Sequence, residues 1–302
     1  MKRISYLRNI FILAGVCIFC SCNSYEYHKI TIAINDDCNL EQQFATYEVI
    51  NKRIASIWRV KERTELIGGK FDLTYSGEDS LLTQILGQKG EIYITEMFTN
   101  AEIQSPLDRV YERLFWLMNN TDHEPLWQIK SSHYGSINET SELISVPLQQ
   151  VSYIDSVFNQ CKHWFPANIS FAWTAKPIEG FFYLLALKST PRQFPLNPNS
   201  VQSCRIENHQ YNVDGQSLNY QEILISLEKD YSDEWARLTR HNTEKNLAVV
   251  MDGKVLMYPR VQSEIVNGKM GITGNYENNE YLLIKSVILG GTLDCKMQIT
   301  NQ

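Results

Sequence analysis

The sequence has little positive charge for its size. Its 302 residues include 28 lysines and arginines against 34 acidic residues, which gives a formal net charge of −6. Proteins that bind nucleic acid usually carry a basic patch or stripe, and no such patch is evident here. The composition therefore argues against nucleic acid as a partner.

Sequence motifs for catalysis and metal binding are also missing. No GxSxG, HExxH or P-loop pattern occurs. None of the six histidines has a second histidine or a cysteine at ligand spacing: His28, His123, His133, His163, His209 and His241. Asp36-Asp37 and Asp233-Glu234 fit loop and helix-start charges better than a catalytic pair. The sequence predicts a protein that is not an enzyme and uses no cofactor and no metal.

Apolar runs are short throughout the chain. Near the N-terminus, three basic residues precede an eleven-residue apolar core, Ile10 to Cys20. That length fits an export signal and is too short for a stable membrane-spanning helix. The core ends at "FCSC", which resembles a relaxed bacterial lipobox and implies cleavage before Cys22 and acylation of its sulfur. An ordinary secretory signal and lipidation at Cys17 remain the alternatives.

Cysteines are few in the predicted mature chain. Cleavage before Cys22 removes three basic residues and no acids, which leaves a net charge of −9. Four cysteines remain besides Cys22: Cys38, Cys161, Cys204 and Cys295. In an oxidising compartment they can pair in three ways, or they can stay as buried free thiols.

The order of apolar patterns predicts an α+β fold. Residues near 28–98 follow the order β-α-β-β-α-β, which is typical of a ferredoxin-like unit. Residues near 220–300 repeat it, with a helix capped by Ser232 and a hairpin at Asp252-Gly253. The predicted division is a signal peptide at 1–21, a first ferredoxin-like half at 22–100, an irregular middle at 101–219 and a second half at 220–302.

The second half also resembles a known family. Its residues match, in order, a pattern that runs from a Thr and Asn through an Asp-Gly turn to a glycine-ended helix: Thr239, Asn242, Asp252, Gly253, Val255, Pro259, Ile265, Gly268, Ile272, Gly274, Leu289 and Leu293. This stretch resembles the large periplasmic domain of SecD, the bacterial Sec-pathway accessory protein. Asp252 and Gly253 are interpreted as turn residues without a catalytic role.

The chain departs from that family after the last helix. Where the family has Gly-Ala-Leu-Pro, this sequence has Gly291-Thr292-Leu293-Asp294. The membrane helices that couple translocation to proton flow in the family are missing. The resemblance therefore implies a periplasmic module, anchored by a lipid at Cys22 to a membrane that the sequence does not identify.

Two functions follow from the resemblance as expectations. The first is a lipoprotein that binds extended polypeptide or assists export, with Sec translocon components as partners. The second is a structural or partner-binding module that has left the Sec pathway. The middle is rich in aromatic residues, most expected in the core and a few along a binding groove: Trp116, Trp127, Trp164, Phe165, Trp173, Phe181, Phe182 and Tyr183.

The lipid anchor gives the first testable prediction. Cells grown with a fatty-acid analogue should label the wild-type protein, because acylation adds the analogue to the Cys22 sulfur. Cys22→Ala should remove both the label and retention in the membrane fraction, whereas Cys17→Ala should remove neither. Unchanged label and retention in Cys22→Ala would show that the protein is not anchored through this residue.

Overall fold

A computed structural model describes residues 26–35, 37–119, 142–190, 193–213 and 216–300. The predicted signal peptide with Cys17 and Cys22 lies outside the described residues. The same holds for four other residues named above: Asp36, His123, Trp127 and His133.

Six helices and fourteen strands make up the described chain. The helices are α1 (Leu40–Ala55), α2 (Asp79–Gly87), α3 (Gln104–Asn119), α4 (Val151–Cys161), α5 (Lys229–His241) and α6 (Asn278–Gly290). The strands are β1 (His28–Ile34), β2 (Arg59–Arg63), β3 (Lys70–Ser76), β4 (Ile92–Glu96), β5 (Glu142–Val146), β6 (Ile169–Trp173), β7 (Phe182–Lys188), β8 (Phe194–Pro195), β9 (Val201–Val213), β10 (Gln216–Leu227), β11 (Leu247–Met251), β12 (Lys254–Met257), β13 (Lys269–Ile272) and β14 (Met297–Thr300). The described strands form four small antiparallel sheets, and the predicted α+β class is confirmed.

Helix α1 shows how the sequence sets an element's limits and its buried face. Asn39 and Gln42 form a capping box, in which each side chain bonds the other's backbone N–H at 2.9 and 3.0 Å. One face of the helix then buries Tyr47, Ile50 and Ile54 against the first sheet. The apolar spacing of the sequence predicts a helix over Glu41 to Ile57, within two residues of the observed ends.

Helix α5 begins earlier than Ser232 predicts. It starts at Lys229, and Glu228 occupies the cap position in an extended conformation. The Glu228 N–H donates to the Ser200 carbonyl at 2.9 Å, so a long-range contact sets where the strand ends and the helix starts. Ser232 lies inside the first turn, where its hydroxyl donates to the Glu228 carbonyl at 3.0 Å. The prediction of Ser232 as the N-cap is wrong.

The two predicted halves exchange their last strands. The first sheet has the order β14-β1-β3-β2, so β14 lies beside β1 where a self-contained unit would place β4. Strand β4 pairs instead with β11, with Ile94 opposite Val249, in a sheet of order β12-β11-β4-β8. The ferredoxin-like detail of the two predicted halves is not confirmed. The predicted domain limits stay predictions, because the sheets do not divide at them.

A long hairpin was missed in the sequence. Strand β9 has 13 residues and β10 has 12, and they pair along their whole length, with Ile206 opposite Ile223. The apolar pattern of the sequence predicts only a strand over residues 221–229. The dipeptide Asp214-Gly215 stands between the two strands, and Asp-Gly is the same hairpin signal that was recognised at Asp252-Gly253.

Arg53 is fully buried where α1 meets α2 and α6. Its guanidinium donates to the carbonyls of Ile85, Gln88, Lys89 and Gly291 at 2.7–2.9 Å. Burial lowers the pKa of Arg53 to about 10, and the charge of Asp252 partly offsets this. The side chain therefore carries its charge at neutral pH and is solvated by backbone carbonyls.

Two glycines make room for Arg53. A Cβ on Gly90 would lie 1.9 Å from Arg53 Nη2, and one on Gly290 would lie 2.2 Å from Arg53 Cγ. Gly90 also has φ = +80°, which side-chain-bearing residues rarely adopt. Both positions need glycine because the buried arginine occupies the space of a side chain.

A disulfide joins Cys38 to Cys295, with a Cα–Cα distance of 6.2 Å. Among the four described cysteines only this one pair forms, so the structure combines a disulfide with two of the free thiols that the sequence left as an alternative. Cys161 and Cys204 are free and buried, and burial raises the pKa of both thiols. The bridge fastens the segment that leads into β14 to the loop before α1.

Replacing Arg53 tests how much this buried contact stabilises the fold. Arg53→Met leaves several buried carbonyls without donors, so we expect the free energy of unfolding to fall by about 3 kcal/mol. Urea denaturation followed by circular dichroism measures the change. Lys52→Met, on the exposed side of the same helix, is the matched control and should change stability by less than about 0.5 kcal/mol. Equal effects of the two substitutions would contradict a stabilising role for the guanidinium.

Candidate functional site

Asp252 does more than form a turn. Asp252 has φ = +48° and Gly253 has φ = +77°, which confirms the predicted turn conformation. The carboxylate also accepts bonds from Gln88 Nε2 at 2.7 Å and from the N–H groups of Gly90 and Glu91 at 2.9 and 2.8 Å. Its partners lie more than 160 residues away in the chain, so no local pattern could have revealed them.

Other residues that carry the family resemblance also have structural contacts. The Thr239 hydroxyl donates to the Trp235 carbonyl at 2.9 Å and accepts from the Ile265 N–H at 3.0 Å. Asn242 Nδ2 is 2.8 Å from Glu96 Oε1, which joins α5 to β4. These contacts explain the residue types in the pattern without a reaction or a ligand.

The aromatic residues of the middle are distributed between core and surface. Phe165 and Tyr183 are buried, whereas Trp116 is 62% exposed. Four more are partly buried: Trp164, Trp173, Phe181 and Phe182. Arg109 lies over the Trp164 ring at 4.2 Å. None of these residues lines the cavity described below, so they do not supply the walls of that site.

The four described histidines lie apart. His28 Nδ1 is 3.7 Å from an Asp79 oxygen, and His163 Nδ1 is 3.0 Å from the Gln160 carbonyl oxygen. His209 lies on β9 and His241 at the end of α5. Within residues 26–300, apart from the undescribed stretches, no three histidine, cysteine or acidic side chains come together as a metal site.

A cavity of about 790 Å³ lies beside the β9–β10 hairpin. Its walls are Asn208–Gln210 on β9, Asn219–Gln221 on β10, and Gly274–Tyr276 with Tyr281 at the start of α6. The volume falls in the usual range for ligand pockets. Sequence reasoning missed this site because it had placed 208–210 in an irregular region.

The walls of this cavity are mostly neutral and polar. The His209 ring stacks on Tyr220 at 4.9 Å, and His209 Nε2 is 3.1 Å from Glu222 Oε2. The Tyr281 hydroxyl donates to the Gly274 carbonyl at 2.9 Å, and burial raises its pKa. Amide side chains, which both donate and accept, supply most of the remaining lining. Such walls fit a neutral polar ligand, such as peptide groups, better than a phosphate.

Comparison with known proteins agrees with the resemblance seen in the sequence. Residues 183–295 match the family model of the SecDF P1 head subdomain. The protein translocase subunit SecD of Rhodothermus marinus is 27% identical over 143 residues, which are 45% of this chain and 21% of that protein. The same subunit of Sebaldella termitidis is 35% identical over 77 residues, 26% of this chain and 19% of that protein.

These matches show that part of this chain is similar to SecD and to the P1 head subdomain of SecDF. The matched segments span only about a fifth of the length of the SecD relatives. A structure of SecDF, described as a membrane component that enhances protein export, covers 91% of this chain and is itself covered over 99%, at 15% identity and a TM-score of 0.47. SecDF in its super-membrane-facing form covers 90% of this chain and is covered over 29%, at 14% identity and a TM-score of 0.47.

No helix in the described part of the chain is both long enough and apolar enough to cross a bilayer.

Substituting Asp252 separates its two roles. Asn tolerates the positive φ of the turn but offers one acceptor oxygen in place of two. Asp252→Asn should therefore lower the free energy of unfolding by about 1–2 kcal/mol, measured by urea denaturation. Asp37→Asn, at an exposed position in the loop that precedes α1, is the control and should be near neutral. An unchanged free energy of unfolding in Asp252→Asn would show that Asp252 serves only to form the turn.

Proposed function

We propose that this chain is a non-enzymatic envelope lipoprotein whose SecD-like domain binds extended polypeptide and assists protein export. The observation that carries the proposal is the match of residues 183–295 to the SecDF P1 head subdomain. That segment includes the β9–β10 hairpin and every wall of the polar cavity. Sec translocon components are the partners that this assignment suggests.

The chemistry of the cavity supports polypeptide as the ligand. Neutral amide walls can bond peptide N–H and C=O groups of any sequence, which suits a protein that handles many clients. The Cys38–Cys295 disulfide supports a location outside the cytosol, because disulfides persist in oxidising compartments.

Charge sets a preference among clients. A net charge of −9 for the predicted mature chain disfavours acidic segments and favours basic, apolar ones. Because salt screens exposed charges, this preference weakens as ionic strength rises. Binding is weak, since an unfolded segment loses conformational freedom on capture.

A second candidate is a partner-binding module outside the export pathway. It is favoured by the path of the chain after α6, where the family's Pro is replaced by Asp294. Here Leu293 is buried and its N–H donates to the Lys89 carbonyl at 2.8 Å. The following strand β14 pairs with β1, so this segment closes the domain on itself.

Titration with a client protein distinguishes the two candidates. The full chain in lipid nanodiscs is titrated with a client that has been reduced and unfolded, and with the same client folded. We expect saturable binding of the unfolded form at least about tenfold tighter than of the folded form, a difference of about 1.4 kcal/mol. Empty nanodiscs are the control for binding to lipid.

Two results would contradict polypeptide binding. One is equal affinity for the folded and the unfolded client. The other is no binding of either at high micromolar concentration. Both would leave the partner-binding candidate.

A further inference from the structure

Strand β10 is longer than the strand beside it. It spans Gln216–Leu227, whereas β13 pairs only with Ile223 to Ser226. After Ile272 the chain bends through Gly274 and Asn275 and enters α6. On this side, the part of β10 before Ile223 has no strand beside it among the described residues.

The alternation of a strand shows which backbone groups face this side. The Leu227 N–H donates to the Gly268 carbonyl at 2.8 Å, so Leu227 directs its N–H toward β13. The backbone N–H and C=O groups of every second residue in an antiparallel strand point to the same side. Those of Gln221 and Asn219 therefore point to the same side as those of Leu227. Within the described chain, neither residue has a backbone hydrogen bond to a segment beside this edge. We name the cavity-facing backbone groups of Asn219 and Gln221 the open edge of β10.

The polar cavity lies directly against the open edge. Asn219–Gln221 form one wall, and Gly274–Tyr276 form the wall across from it. The Gly274 carbonyl accepts the Tyr281 hydroxyl at 2.9 Å, which gives this carbonyl a partner other than β10. The space that a longer β13 would fill is therefore left as a cavity of about 790 Å³.

We propose that a client polypeptide binds here as an added strand, which continues the position of β13 along the open edge. The inference rests on the proposed function and names its site. An unpaired strand edge is a template for another chain, because its N–H and C=O groups need partners at strand spacing. A sugar or a phosphate has no such repeating pattern of donors and acceptors, so an extended peptide is the occupant that fits.

The side chains around the open edge suit a strand of varied sequence. Gln221 Nε2 donates to Asn208 Oδ1 across the hairpin at 2.9 Å and to Asn278 Oδ1 at the start of α6 at 3.4 Å. Glu222 supplies a carboxylate next to the cavity, with His209 beside it. Backbone pairing gives the affinity in this binding mode, and the neighbouring side chains add only a preference.

A proline at the open edge tests the backbone contact. Gln221→Pro removes the N–H that faces the cavity and leaves the bonds to β9 in place, because residue 221 directs its backbone groups away from β9. Gln221→Ala is the matched control, since it removes the same side chain and keeps the N–H. In the nanodisc titration with unfolded client, Gln221→Pro should bind about tenfold more weakly than Gln221→Ala.

A second pair of variants tests the cavity without altering the strand. Asn275→Trp replaces an exposed wall residue with a ring that fills the space. Val266→Trp places the same ring on an exposed residue beyond the other end of β13. Asn275→Trp should weaken binding of the unfolded client by about tenfold, and Val266→Trp should leave it unchanged. Comparing Asn275→Trp with Val266→Trp therefore tests whether the client binds in the cavity even if Gln221→Pro fails to fold.

The outcomes separate the site from the function. If the wild type binds unfolded client and Asn275→Trp binds it equally well, the open edge is not the site and the proposed function stands. If the wild type binds no polypeptide, the proposed function fails and this inference fails with it. Binding of a neutral oligosaccharide that Asn275→Trp abolishes, with no binding of peptide, would also overturn the added strand.

Discussion

The buried guanidinium of Arg53 is the constraint on which the rest of the structure depends. A charge without water is stable only where other groups solvate it. Here that solvation comes from carbonyls at the end of α2, in the segment before β4, and after α6. These three chain segments must converge on one point of α1. Gly90 and Gly290 are then required, because any side chain at either position would occupy the place of the arginine.

The exchange of strands follows from this convergence. The segment after α6 is held against residues 89–90, with Leu293 N–H on the Lys89 carbonyl and Thr292 Oγ1 near the Gly90 carbonyl. From there the chain runs to β1, and the Cys38–Cys295 disulfide fastens it. Asp252 binds the same stretch from the other side and holds β4 against the β11–β12 hairpin. The two predicted halves therefore share strands, and neither completes its sheets alone.

Local patterns predicted the elements well and their partners poorly. The helices α1 and α6 and the Asp252-Gly253 turn depend on spacing, caps and backbone angles within a few residues, and the sequence shows all of these. The exchange of β4 and β14 leaves the order of elements unchanged, so no pattern along the chain could reveal it. The burial of Arg53 could not be predicted, because its carbonyl partners carry no sequence signature. The cavity was missed for a different reason, since Asp214-Gly215 offered a hairpin signal that was not used.

The open edge of β10 contrasts with the way the first sheet is completed. There β14 covers β1, and the disulfide fastens the chain that leads into that strand. On β10 the neighbouring strand stops after four residues, and the Tyr281 hydroxyl engages the carbonyl of Gly274 just beyond it. Exposed edges invite aggregation unless polar or charged side chains surround them, and here amides surround the edge in place of apolar residues. In the proposed binding mode, the backbone of this edge is the part that an extended chain contacts. The proposed capture of a polypeptide uses the strand position that β13 leaves open on β10.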